Sequence, residues 1–182
     1  LEKDKGQYDD ITPIFWASGA CFFVRKRAYK EVDGLDEIFF THQEEIDLCW
    51  RLQLKGGTIK YIGKSTVYHI GGATLSSYNS KKTFYNFRNS LLMLLKNVGS
   101  SKIYLLLIVR LILDGLVGLQ FLIHGKWKHS LAIIKAHFSF YRLIPIYLKK
   151  RNNNNTPFKY YHIKSIVWNY FIRKNRTFKQ LN

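Results

Sequence analysis

Acidic residues nearly vanish from the second half of this chain. Residues 81–182 hold 19 Lys and Arg against a single acid, Asp114, a net of +18. Residues 1–80 hold 10 Lys and Arg against 11 Asp and Glu, a net of −1. A half so short of carboxylates cannot neutralise itself by internal ion pairs, so its excess charge calls for an anionic partner. Cysteine is also scarce. Cys21 and Cys49 alone exclude a disulfide framework; both lie on apolar segments and are expected to be small core residues, in keeping with a reducing compartment. The polar start Leu1-Glu2-Lys3-Asp4-Lys5 carries no signal-peptide pattern. No internal repeat and no recognisable RNA-binding motif occurs. The length, 182 residues, suits one domain with an appendage.

The first 80 residues alternate short elements. Residues 1–13 read as loop. Residues 14–24 are apolar with Gly19 in the middle, the pattern of a strand interrupted by a bend. Residues 27–32 predict a short helix stopped by Asp33-Gly34, and residues 44–54 a longer one ended by Gly56-Gly57. Residues 58–62 and 65–69 read as short strands before Gly71-Gly72 turns the chain. The helix over 44–54 opens with Glu44, Glu45 and Asp47. Free backbone N–H groups and the macrodipole stabilise negative charge at such a start, so an acidic first turn is ordinary capping on spacing alone. A carboxylate that also faced a cleft would serve as a general base. Asp47 and Arg51 stand at i,i+4 and are positioned to pair. Trp16 and Trp50 are expected in the core rather than stacked on a ligand.

Four elements follow one another in residues 12–80: Ser18-Gly19-Ala20 ahead of Cys21-Phe22-Phe23-Val24; Val32-Asp33-Gly34-Leu35-Asp36-Glu37-Ile38-Phe39-Phe40; Glu44-Glu45-Ile46-Asp47-Leu48-Cys49-Trp50-Arg51; and Val67-Tyr68-His69-Ile70-Gly71. This order resembles the second half of the catalytic domain of family 2 inverting glycosyltransferases, which have the GT-A fold. There a small-residue loop, a GGFDE.FF element, an ED.DL..R helix and a V.H..G strand end occur in sequence. The resemblance implies an α/β fold, the C-terminal portion of a Rossmann-like GT-A domain, and transfer of a sugar from a nucleotide-sugar donor to a glycan or lipid-linked acceptor with inversion, as in bacterial cell-surface polysaccharide synthesis.

It also implies roles. The family's base is the second acid of its ED pair, which falls on Glu45; Glu stands here where the family usually has Asp, so Glu44 stays a second candidate. Ser18, Gly19 and Ala20, with Asp47 and Arg51, would lie on the acceptor side. His69 matches a His that ligates a divalent cation in some GT-A enzymes, and the implied cofactor is Mn²⁺ or Mg²⁺. The family's Asp-x-Asp metal motif is missing, and the chain does not open with Met. The expectation is therefore a fragment whose donor-binding half lies upstream, with an incomplete pocket.

Past residue 81 the pattern turns helical. Residues 84–96 predict a helix on which Arg88-Asn89 form a solvated face, with phosphate contact as the alternative. Residues 103–123 are nearly all apolar, long enough to span a bilayer, but carry Arg110 and Asp114 near the centre. Residues 131–147 mix aromatics with Lys and Arg, as in a helix lying at an anionic membrane surface. Residues 152–155 read as a polar linker and 160–171 as an amphipathic end. The expected division is 1–80, the acceptor side of the catalytic domain; 81–151, a basic apolar helical region held peripherally or by shallow insertion on the cytoplasmic face of the cell membrane; and 152–182, linker and amphipathic segment. No nucleic-acid partner is expected. The rival reading is a non-enzymatic basic module binding RNA or membrane through its interleaved aromatics and cations.

Overall fold

The computed structural model describes residues 3, 5–69, 79–151, 160, 161, 163, 165, 166 and 168–181. Two three-residue strands, β1 (Ile11–Pro13) and β2 (Lys60–Ile62), pair antiparallel with Ile11 opposite Ile62. Between them lie α1 (Lys26–Glu31), a 3-10 turn (Glu37–Phe39) and α2 (Glu44–Leu54). Three longer helices follow: α3 (Ser80–Asn97), α4 (Ile103–Ile123) and α5 (Trp127–Lys150). A single π turn (Trp168–Ile172) and a 3-10 turn (Phe178–Leu181) close the described chain. The architecture is mixed, dominated by helices with one small sheet. The larger parallel sheet of an α/β domain is not present among the described residues.

Several expected elements differ. Residues 14–24 form no strand; only Ile14 continues the pairing, its N–H donating to the Ile59 carbonyl at 3.0 Å. The rest of that segment packs as irregular chain beside α2, where the Gln53 amide donates to the Phe15 carbonyl at 2.6 Å. Residues 65–69 are also irregular. Cys21 is exposed, and only Cys49 is in the interior. Trp16 is exposed, whereas Trp50 is buried with Phe15 edge-on at 5.3 Å and Tyr160 at 4.9 Å. The Gly71-Gly72 turn and the 152–155 linker lie outside the described residues.

The core joins both halves of the sequence. Phe39 and Trp50 pack with Leu91, Leu92, Leu95 and Val98 of α3 and its end, with Ile103 and Leu107 of α4, and with Phe140 and Tyr147 of α5. The basic half is thus packed into the same core as the acidic half. Asn79 starts α3 four residues earlier than the apolar pattern signals, its side chain accepting from the Lys81 N–H at 2.9 Å.

Asp47 lies at the centre of a buried ion network. Its carboxylate, 0% exposed, accepts from Arg51 Nε at 2.8 Å, Lys96 Nζ at 2.9 Å and Asn97 Nδ2 at 2.7 Å. Lys96 also reaches Asp36 at 2.9 Å, and Lys150 reaches the same carboxylate at 3.0 Å. Arg51 further donates to the Val32 carbonyl, and to that of Gly34 at 2.6 Å. Gly34 is required where it stands. Its φ is +61°, and a Cβ there would lie 2.7 Å from the Tyr29 ring. Burial raises the Asp36 carboxyl, but the cations of Lys96 and Lys150 outweigh it and hold the group below its ordinary value.

Of the 21 residues in α4 only Ile103, Leu107 and Asp114 are buried. Arg110 and Asp114, the two charges within its apolar run, pair at 2.6 Å, and His137 of α5 approaches Asp114 at 3.2 Å. By length and composition, α4 and α5 are both long and apolar enough to cross a membrane.

Candidate functional site

Glu44 and Glu45 occupy the first turn of α2, and the chain reaches them through an unusual path. Phe40 (φ +60°, ψ −53°), His42 (φ +65°) and Gln43 (φ +74°) all have positive φ, and none is glycine. The Thr41 N–H donates to the Phe39 carbonyl at 2.6 Å, closing a γ-turn around Phe40 of the rarer, strained hand. Such conformations cost of order 1–3 kcal/mol each and persist only where surrounding structure over-determines them. Nothing in Thr41-His42-Gln43 signals this, since no Gly, Asn or Asp marks the turn.

The surrounding structure comes from α3. Asn89 is 0% exposed. Its amide nitrogen lies 2.9 Å from the Phe39 carbonyl, 2.8 Å from that of Thr41 and 2.7 Å from that of His42. Arg88 donates through Nη2 to the Ile38 carbonyl at 2.6 Å and through Nε to Asn89 Oδ1 at 2.9 Å. The last bond assigns the amide's orientation: the oxygen faces Arg88, so the NH₂ faces the loop. The expectation of a solvated Arg88-Asn89 face is corrected here. Both side chains are buried, because the turn's carbonyls need donors and find them on α3. One signal was available: Asn89 and Lys96 share a helical stripe with Leu92 and Met93, a position for buried polar groups.

Glu44 and Glu45 each carry one buried carboxylate oxygen, Oε2, with no hydrogen-bond partner, and His42 Nε2 is in the same condition. An unpaired buried acceptor is costly in a resting structure and is a place for a donor from outside the chain. Burial raises the Glu44 carboxyl above its ordinary value and the neighbouring Glu45 charge adds to this, against the backbone donor that favours ionisation. Burial lowers His42, helped by Lys82 and opposed by Glu45.

The loop of Ser18, Gly19 and Ala20 sits against this turn. Ser18 Oγ accepts from the Ala20 N–H at 3.3 Å, and a Cβ on Gly19 would lie 3.9 Å from the Glu45 side chain. The structure thus brings the small-residue loop together with Glu45. Asp47 and Arg51, expected on the acceptor side, face the other way. They are saturated within the ion network and work as scaffold, because a helix start turns only part of its first turn toward a cleft. His69 is exposed, and among the described residues no three His, Cys, Asp or Glu side chains converge as metal ligands. The described residues therefore do not compose a divalent-cation site by themselves.

The chain is similar over part of its length to glycosyltransferases. It is 39% identical over 57 residues to an N-acetylglucosaminyl-diphospho-decaprenol L-rhamnosyltransferase of Mycobacterium tuberculosis, covering 31% of this chain and 19% of that protein. It is 30% identical over 83 residues to rhamnosyltransferase WbbL of Escherichia coli K12, covering 46% of this chain and 31% of that protein. A pre-mycofactocin glycosyltransferase of M. tuberculosis is 31% identical over 72 residues, covering 40% of this chain and 15% of that protein. The matched stretches thus span between 15% and 31% of these relatives. No protein-family model matches the chain, and no solved structure does.

Proposed function

We propose that the chain carries the acceptor side of an inverting glycosyltransferase and transfers a sugar from a nucleotide-sugar to a glycan or lipid-linked acceptor. The observation that supports it best is the unpartnered Oε2 of Glu45 at the first turn of α2, on a side chain that a Cβ at Gly19 would meet at 3.9 Å. The acceptor hydroxyl oxygen attacks the anomeric carbon from the face opposite the leaving group. The new C–O bond forms as the bond to the nucleoside diphosphate breaks, and the hydroxyl proton passes to Glu45. Glu45 falls on the position of the base in the resembling family, and Glu44, whose carboxyl is raised first by burial, stays the second candidate. The names of the three relatives, two of them rhamnosyltransferases, favour this reaction class and make lipid-linked diphosphate acceptors the first to try. If a divalent cation, Mn²⁺ or Mg²⁺, takes part, His69 is this chain's contribution to its ligands, and no step above is routed through it. The test is sugar transfer by the intact protein bearing Glu45→Gln, with Glu44→Gln as control.

The same protein is proposed to rest on the cytoplasmic face of the membrane through α4 and α5. Lys128, Lys135, Arg142 and Lys149 recur at every seventh residue of α5 and are all exposed. This stripe runs the length of the helix, about 30 Å at 1.5 Å per residue, with Leu131, Phe138 and Tyr141 exposed beside it. Cations spaced along the whole axis suit a helix lying in the headgroup plane, not one crossing hydrocarbon. The exposed apolar side chains of α4 then supply the shallow insertion. Each Lys or Arg near an anionic surface is worth about 1 kcal/mol, so Lys135→Gln with Arg142→Gln is expected to weaken binding to phosphatidylserine vesicles about thirtyfold at low salt. Co-sedimentation measures it. Absence of wild-type binding at low salt, or equal binding by the double variant, contradicts this placement.

A further inference from the structure

We propose that Asn89 is a positioning residue for the acid–base turn, acting on the reaction through Glu45; this deepens the glycosyl-transfer reading and rests on Glu45 as base. Glu45 is five residues after Phe40 and three after His42, so its carboxylate goes where the Phe40–Gln43 turn aims the start of α2. That turn has three non-glycine residues at positive φ, and α2 opens without a side-chain cap on its first turn. Left to local preference, residues of these types return to ordinary right-handed or extended backbone, and the helix start rotates with them. What opposes this within the turn is chiefly the Asn89 amide, with Arg88 donating to the Ile38 carbonyl just ahead of it at 2.6 Å. A single NH₂ with two hydrogens faces three carbonyls in four residues, at 2.9, 2.8 and 2.7 Å, so it satisfies the turn only in this one conformation.

Asn89 is itself fixed. Arg88 Nε holds its oxygen, and the Arg88 guanidinium lies beside the Phe84 and Tyr85 rings, each 5.1 Å from the guanidinium carbon. The amide cannot flip without setting its oxygen against three carbonyl oxygens. α3 also carries Lys96 and Asn97, which grip Asp47 two residues beyond Glu45. The first turn of α2 is therefore held from both sides by one helix: through the backbone before Glu45 and through a carboxylate after it. Displacement of a reacting group by about 1 Å costs of order a hundredfold in rate, so the amide's effect is expected in turnover, not in substrate affinity.

Asn89→Asp preserves size but replaces the donor with an oxygen facing those carbonyls. In the intact protein it is expected to lower kcat for sugar transfer about 10- to 100-fold, with the nucleotide-sugar KM within about threefold of wild type. The decisive measurement is the double-variant cycle with Glu45→Gln. A residue acting only through the base has nothing left to position once the base is gone, so Asn89→Asp should lower the residual rate of Glu45→Gln by no more than about twofold. Where Asn89→Asp does not fold, as judged by its melting transition, Asn89→Ser keeps one hydroxyl donor and carries the same comparison. An equal loss in both backgrounds overturns the proposal, since general damage to the fold is indifferent to residue 45. Wild-type turnover by the folded Asn89 variants overturns it as well. Near-normal turnover by Glu45→Gln alone removes the base assignment and this proposal together, an outcome distinguishable from additive losses, which leave Glu45 in place.

Discussion

Under the proposed function, Glu45→Gln in the intact protein is expected to lose sugar transfer by about 10²–10⁴-fold, the range of a missing general base, while nucleotide-sugar binding and melting temperature stay near wild type. The amide keeps the shape of the side chain beside the Gly19 loop, but it cannot take a proton from an acceptor hydroxyl. The unpartnered Oε2 adds a second reason for an intact fold: no internal hydrogen bond to that oxygen is lost. Glu44→Gln separates the neighbours. Its carboxyl is raised first by burial and further by the Glu45 charge; as the neighbour of the proposed base, its amide variant is expected to change turnover by a few-fold at most. Equal losses in both variants, or a Glu45→Gln enzyme within a few-fold of wild type, contradict the assignment. Kinetics under saturating donor measure it.

Asp47→Ala destabilises the protein by about 3–5 kcal/mol, the cost of leaving buried cations without their partner. Lys96, buried beside it, keeps only Asp36, and Arg51 keeps only backbone carbonyls. For a chain of this size that corresponds to a fall in Tm of about 6–20 °C. Urea unfolding followed by circular dichroism gives the number; a loss under about 1 kcal/mol would show that the network behaves as an exposed one. The pH dependence has a defined sign. The folded-state pKa of Asp36 is depressed below 3.8, so its stabilisation is present above that value and is lost as pH falls through the lower folded-state pKa. Acid unfolding of the wild type should begin below about pH 4 and be shallower in Asp36→Asn.

The sequence carried some of this and concealed the rest for identifiable reasons. α2 was legible to the residue because its determinants are local: acids in the first turn, apolar spacing and Gly56-Gly57 at the end. α4 was legible because nearly every residue from 103 to 123 is apolar. The Asp47–Arg51 pair was visible as an i,i+4 spacing, but its burial was not, since that depends on Lys96 and Asn97, which are 49 and 50 residues away. Residues 14–24 had the composition of a strand, but a strand needs a continuous neighbour, and past Ile14 its described contacts are with α2. The loop at 40–43 was illegible because its conformation is imposed by Asn89 and Arg88 across nearly 50 residues, against local preference. Glu44, Glu45 and the Ser18-Gly19-Ala20 loop were nominated by their resemblance to a family; the structure adds that a Cβ at Gly19 would come within 3.9 Å of the Glu45 side chain and that Asp47 and Arg51 are held in the buried ion network.

The most direct measurement is the configuration of the product. The intact protein is incubated with a panel of nucleotide-sugars and polyprenyl-diphosphate-linked acceptors in anionic vesicles, and the new glycosidic bond is assigned by NMR. The expected result is transfer from one donor with the anomeric configuration inverted relative to that donor, abolished by Glu45→Gln. No transfer or hydrolysis of any nucleotide-sugar, together with salt-sensitive binding to a random oligonucleotide, would instead identify a basic binding module, and a product of retained configuration would contradict single displacement with Glu45 as base.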